Sequence, residues 1–243
     1  MFNISSFTAR SSDEFISKLK NNISELKFEP TLAFSFVSVS MDIDLIMRSF
    51  NEINIKLFGA SSCGELLFDD NNEVVSEKAA VFIITDIPKD FFRFILKERE
   101  KTTSIDFGKS IGRDIKNISI DTSAIIAASG LKLDGQAMIE GIITNTSKDY
   151  SLYGGLAGDD SKFEQTFVFT ETQKSDNGAI VLLLNKAKVK VSGIASSGWI
   201  GLGADLKITK STGNIVYTIE DKPALDVYME YLNVEDKELP AIG

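Results

Sequence analysis

The chain has 243 residues, 43% hydrophobic and 25% charged, enough apolar material to bury a sizeable core and too much for disorder. Acids outnumber bases 35 to 26, and the resulting net charge of −9 repels phosphate backbones and anionic lipid, which argues against nucleic acid or a membrane as partner. Histidine is absent and Cys63 is the single cysteine, so histidine-based triads, the commonest zinc and haem ligands and any internal disulfide are excluded.

The first residues lack the basic start and long apolar run of an export signal, and the longest apolar runs are strand-sized. A cytoplasmic protein without membrane insertion is the expectation. Ser11 and Glu14 have capping-box spacing and open a helix with Phe15, Leu19, Ile23 and Leu26 at helical intervals. Residues 31–39 are β-branched and aromatic and read as a buried strand. Asp42 caps a second helix with Ile43, Leu45, Ile46, Phe50 and Ile53 on its apolar side. A short strand at 55–58 ends in a loop, Gly59-Ala60-Ser61-Ser62-Cys63-Gly64-Glu65, and strands at 79–85 and 91–97 follow across Pro88.

The series then starts again. A helix through Phe107, Ile111 and Ile115, a strand at 123–128 and a helix at 134–146 lead through 150–153 into a second loop, Gly154-Gly155-Leu156-Ala157-Gly158-Asp159-Asp160. Strands are expected at 167–170, 179–184 and 189–195. Asp13 and Asp106, Asp42 and Asp134, Gly59 and Gly154, and Ala79 and Gly178 stand 92 to 99 residues apart. This spacing predicts an internal repeat, roughly 11–98 and 104–195, within a first domain of residues 1–195. Beyond a connector at 196–203, a hairpin around Thr212-Gly213-Asn214 and a helix opened by Pro223 predict the beginning of a second, incomplete domain over 196–243. The fold class is α/β (mixed α+β), with mixed sheets covered by helices on their outer faces.

Glycine-rich turns between strands let backbone amides approach a ligand, and converging amides bind carboxylate or phosphate oxygens. Asp159, Asp160 and Glu65 add acceptors, and Ser61 and Ser62 add hydroxyls, a set suited to a zwitterion; tight-turn geometry with local capping is the alternative. Cys63 has no histidine to activate it and reads as a small buried residue. The carboxylate clusters, at 69–73 and at Asp159-Asp160, lack the spacing of a calcium loop, so no metal and no cofactor is expected. Gly108-Lys109-Ser110 matches the end of a phosphate-binding loop, but Thr103 stands where that motif needs its first glycine. Trp199, the only tryptophan, lies in a glycine-rich stretch and either lines a pocket or packs at a hinge.

On these residues the chain resembles FIST-domain proteins. The second glycine loop followed by Phe163, Thr166 and Phe169 is similar to the N-terminal signature of that family, and Gly59 to Glu65 to its earlier loop. Ile208-Thr209-Lys210, Gly213-Asn214-Ile215-Val216 and Pro223-Ala224-Leu225-Asp226-Val227-Tyr228 resemble the start of the C-terminal FIST domain, which this sequence leaves early. The resemblance implies a signal-transduction input module that binds small ligands such as amino acids and works with a signalling output domain or protein. With the loop chemistry above, it points to Gly154, Gly155, Ala157, Gly158, Asp159 and Asp160, the symmetry-related Ser61, Ser62, Cys63, Gly64 and Glu65, and Trp199 as the candidate ligand-binding residues. Two other classes stand beside it: a protein-interaction scaffold, and a hydrolase using Asp159, Asp160 or Glu65 as an acid–base pair. No nucleophile has a partner, so the expectation is a non-enzyme. Homodimerisation through a sheet edge or through the incomplete C-terminal domain is compatible with the sequence, but no residue pattern requires it.

Overall fold

The computed structural model describes residues 2–65, 67, 79–118, 121–194, 201 and 203–235. Trp199 and the acidic cluster at 69–73 lie outside them. The chain divides into two compact units, 1–193 and 194–243.

The first unit runs β1 (Ile4–Ala9), α1 (Ser12–Glu25), β2 (Leu32–Val37), α2 (Ile43–Glu52), β3 (Lys56–Ser61) and β4 (Ala80–Thr85). It continues with β5 (Phe92–Glu98), α3 (Ser104–Lys116), β6 (Thr122–Ala128), α4 (Gly135–Asn145), β7 (Leu152–Leu156), β8 (Val168–Phe169), β9 (Lys174–Ser175) and β10 (Gly178–Asn185). Side chains cap the first two helices where the sequence predicts, Ser11 Oγ accepting from Glu14 N–H and Asp42 from Leu45, and Thr103 and Asp134 cap α3 and α4 in the same way, accepting from Asp106 and Ala137. Glu14 in turn reaches back to the Arg10 N–H at 2.7 Å.

Two mixed sheets result, of order β1-β4-β2-β3-β8-β9 and β5-β10-β6-β7. In each, a strand–helix–strand crossover lays two strands parallel, β2 with β3 and β6 with β7, while the remaining pairs are antiparallel. The four strands β1-β4-β2-β3 thus share order and direction with β5-β10-β6-β7.

Alternation along the strands explains the layering. Leu32 of β2 joins Phe58, Ala60, Ala127, Ile180 and Leu182 in a core between the two sheets. Its neighbours Ala33 and Val37 face the other way, into a core with Phe15 of α1 and Ile46 and Phe50 of α2. On the far side of the second sheet Ala124, Ile126 and Val181 meet Phe107 and Ile111 of α3 and Met138 and Ile142 of α4. The order is helices, sheet, sheet, helices, and strands covered on both faces become near-continuous apolar runs. The two outer helices of the second sheet touch backbone to backbone: a Cβ on Gly108 would sit 2.0 Å from the Met138 carbonyl oxygen, and one on Gly141 2.1 Å from that of Ile105. Packing, not phosphate, accounts for the glycine of Gly108-Lys109-Ser110.

Three expectations change. β1 was not expected; it is a half-polar edge strand whose partner β4 lies more than seventy residues away in sequence. Residues 189–194 form no strand: Val189 and Val191 dock into the core between the sheets, with no ladder partner among the described residues. The glycine loops also start later than expected, because the ladders continue through Ser35 opposite Gly59 and Ile126 opposite Gly154.

The second unit holds a three-stranded antiparallel sheet, β11 (Ile208–Thr212), β12 (Ile215–Ile219) and β13 (Lys222–Pro223), followed by α5 (Ala224–Leu232). Among its described apolar residues Val227 is buried, whereas Ile208, Ile215, Tyr217, Leu225 and Tyr231 are exposed.

Candidate functional site

The parallel strands β2 and β3 end at Val37 and Ser61, and β7 ends at Leu156. The segments that leave these strands meet at one place, outside the carboxyl ends where open α/β sheets characteristically bind ligands. Ser61 joins them: its Oγ donates to the Gly158 carbonyl at 2.6 Å and accepts from the Phe167 N–H at 2.8 Å. The Gly158 N–H donates to the Ser61 carbonyl at 3.0 Å, and that of Asp160 to Ser62 at 3.3 Å. The approach is close enough that a Cβ on Gly158 would lie 2.8 Å from the Cys63 nitrogen. The two sequence-predicted loops are therefore neighbours.

The carboxylates divide by partner. Asp159 is buried, and its Oδ2 accepts from the backbone N–H groups of Glu164 at 2.7 Å and Gln165 at 3.1 Å. Glu65 is buried too, accepting from Ser62 Oγ at 2.6 Å and from the Ala79 N–H at 3.2 Å. Both are satisfied by the protein itself, as buried acceptors normally are. Asp160 is half-buried and accepts from Ser38 Oγ at 2.8 Å, which also lies 2.6 Å from Ser40 Oγ. Cys63, expected to be buried, is exposed at the tip of its loop, where the strand ladder has stopped, with Sγ 3.2 Å from Ser161 Oγ. Gly64 beside it is exposed as well.

This loop is backbone-strained. Asp160, Ser161 and Phe163 all adopt left-handed φ values of 55°, 59° and 56°. Such conformations cost non-glycine residues roughly 1–3 kcal/mol each and persist only where surrounding contacts impose them. The contacts are present on both flanks. Thr166 Oγ1 accepts from the Gly130 N–H at 3.0 Å, and Gln165 Nε2 donates to Asp176 Oδ2 at 2.7 Å. Asp176 also accepts from Lys132 Nζ at 2.6 Å, and these two bonds, that of Lys132 foremost, hold its carboxyl below the usual carboxylate range.

Of the other residues expected here, Ala157 is buried in the core between the sheets. Gly154 and Gly155 are strand residues on the exposed edge of β7, apart from the cluster. Ser38, Ser40 and Ser161 were not expected in it. For Ser38 and Ser40 the signal is the Ser38-Val39-Ser40 step, which follows the true end of β2 at Val37, where a strand hands its polar ends to a crevice.

Two cavities lie elsewhere in this unit. One, of about 500 Å³, runs between α4 and β7. The other, of about 380 Å³, lies between β5 and the turn at 170–173, beside the ion pair of Lys56 and Glu171. Among the described residues no group of three or more cysteine, aspartate or glutamate side chains is placed to hold a metal, and no helix is long and apolar enough to cross a membrane.

Residues 31–222 match the family model of the FIST N domain. No curated protein matches the chain. Among solved structures, cyanuric acid hydrolase from A. caulinodans is similar over 76% of this chain and 67% of that chain, at 9% identity and a TM-score of 0.35. A likeness that distant says nothing about chemistry.

Proposed function

The chain belongs to the FIST family, whose domains are sensory, signal-transduction modules, and on that premise we propose that it binds a small, amino-acid-like ligand where the loops after β2, β3 and β7 converge. The observation that carries this reading is the run of three left-handed, non-glycine residues, Asp160, Ser161 and Phe163, in a loop pinned at its base by Ser61. Strain of this kind concentrates at ligand clamps and switches. Asp160 offers an acceptor for an ammonium group, and Ser40, Ser161 and the exposed turn at Cys63 and Gly64 offer hydroxyls and amides for a carboxylate. Binding acts by shifting the loop between conformations, to the extent that the ligand's affinity differs between them, and a signalling output domain or partner reads the change.

The module binds rather than turns over its ligand. Asp159 and Glu65 serve amides and a hydroxyl of the chain itself, a structural use that supports binding over an acid–base role.

A thermal-shift panel of amino acids, small carboxylates and nucleotides tests the proposal. At a hundredfold excess over Kd, a ligand adds about 2.7 kcal/mol, which for a domain of this size raises Tm by roughly 5–10 °C. The shift is expected to vanish in Asp160→Ala while the variant stays folded. A folded protein that responds to no member of the panel, or a hit that survives Asp160→Ala unchanged, refutes the placement.

A further inference from the structure

The first sheet does not end at β3. β8 pairs with it antiparallel, Gly59 opposite Phe169 and Ala60 opposite Val168. The Phe169 ring lies against the glycine, since a Cβ on Gly59 would sit 2.1 Å from its Cε2. Phe169 is fully buried in the core beneath α1 and α2, with Phe167 packed against the same core, and Lys174 of the hairpin reaches Asp44 of α2 at 2.7 Å.

The second sheet stops one strand earlier. β7 lies beside β6 as β3 lies beside β2, and its Gly154 occupies the place of Gly59: each pairs with a β2 or β6 residue, Ser35 or Ile126, on the helix-covered face. Among the described residues β7 has no strand on its outer side, and Gly154, Gly155 and Leu156 are exposed, Leu156 by 50%. Between this edge and α4 runs the cavity of about 500 Å³, walled by Ile126, Ile139, Ile143, Leu152 and Leu156 without a single charged side chain. On the first sheet the corresponding space holds phenylalanine. Folded proteins normally cover, charge or shorten such an edge.

We propose that the β7 edge is a docking site for an extended strand of a partner polypeptide. The strand is uncharged, runs antiparallel to β7, and seats a phenylalanine or similarly large apolar side chain beside Gly154 in the groove against α4. The molecule supplies its own template in Thr166-Phe167-Val168-Phe169-Thr170, where aromatic residues fill the helix side and valine the inner side. In strand addition, backbone hydrogen bonds supply affinity and pockets for alternate side chains supply selectivity. The mirror-image backbone of Gly154, at φ 147°, would put a Cβ 1.8 Å from the Ile126 carbonyl oxygen, so position 154 itself can carry no side chain into the space.

The probe is a fluorescein-labelled, C-terminally amidated peptide of sequence Gln-Thr-Phe-Val-Phe-Thr, titrated into the full chain and read by anisotropy. Saturable binding is expected, weakened roughly tenfold or more by Leu156→Glu, which alters an exposed residue, and by alanine at the second phenylalanine of the peptide. Hydrogen exchange of the β7 amides should slow in the complex. Absence of binding, or binding that Leu156→Glu leaves unchanged, overturns the proposal; the latter result would place the peptide at β3 by exchange with β8. Self-association in the ultracentrifuge that Leu156→Glu abolishes and the peptide fails to compete would give the edge to a second copy of the chain, and would overturn it equally.

Discussion

Ser61 holds the convergence of the loops together with one buried side chain and its own peptide groups. Its hydroxyl serves Gly158 and Phe167, its N–H donates to the Phe167 carbonyl, and its carbonyl receives Gly158. Ser61→Ala leaves a half-buried acceptor and a half-buried donor unpaired, at about 1–3 kcal/mol each, so a loss of about 2–6 kcal/mol is expected in urea unfolding. Ser161→Ala, at an exposed position, should stay within about 0.5 kcal/mol of the parent, and the contrast between the two is the check. The sequence marks both glycine loops and shows that their residue types suit a polar ligand. It does not show which carboxylates are already used. Asp159 is occupied because the chain curls back to bring Glu164 and Gln165 over it, and Glu65 because Ala79 returns to it from fourteen positions away. The exposure of Cys63 likewise follows from where a ladder stops, which no residue type encodes.

At the scale of elements, α3 and α4 meet through glycine. In an exposed helix interior Gly→Ala gains about 1 kcal/mol. Here the added methyl group would collide with the facing backbone, which cannot rotate away as a side chain can, so Gly108→Ala is expected to destabilise by about 1–3 kcal/mol. Thermal unfolding followed by circular dichroism gives the sign, and a stabilised variant would mean that the helices can separate at no cost. Helix starts are legible because Ser11, Asp42, Thr103 and Asp134 cap locally. Strand ends are not. β3 outruns its apolar stretch because β2 continues beside it, and 189–194 alternates like a strand yet pairs with none among the described residues.

For the whole first unit, the alternation of helical and extended periods is enough to predict mixed sheets under outer helices, since it is written in nearest neighbours along the chain. Strand order is not, because the core between the sheets joins Leu32 and Phe58 to Ile180 and Leu182 across more than a hundred residues. One strand pair follows the order of the chain least: β8 and β9 come after β7 in sequence yet complete the sheet that β1 to β4 began. The polypeptide thus lends its first half a strand from its second, and a backbone break in the exposed turn at Lys89 and Asp90 would yield interdependent pieces rather than two modules. Residues 1–89 produced alone would leave Gly59 facing the void that Phe169 fills, and this fragment is expected to be insoluble. Produced together with residues 90–243, it should copurify as a non-covalent complex, whereas a soluble, monomeric fragment on its own would mean that the borrowed strand is dispensable. An insertion at the same turn keeps both halves on one chain, so the strand stays available to the first sheet and the insertion is expected to be tolerated where the severed halves are not.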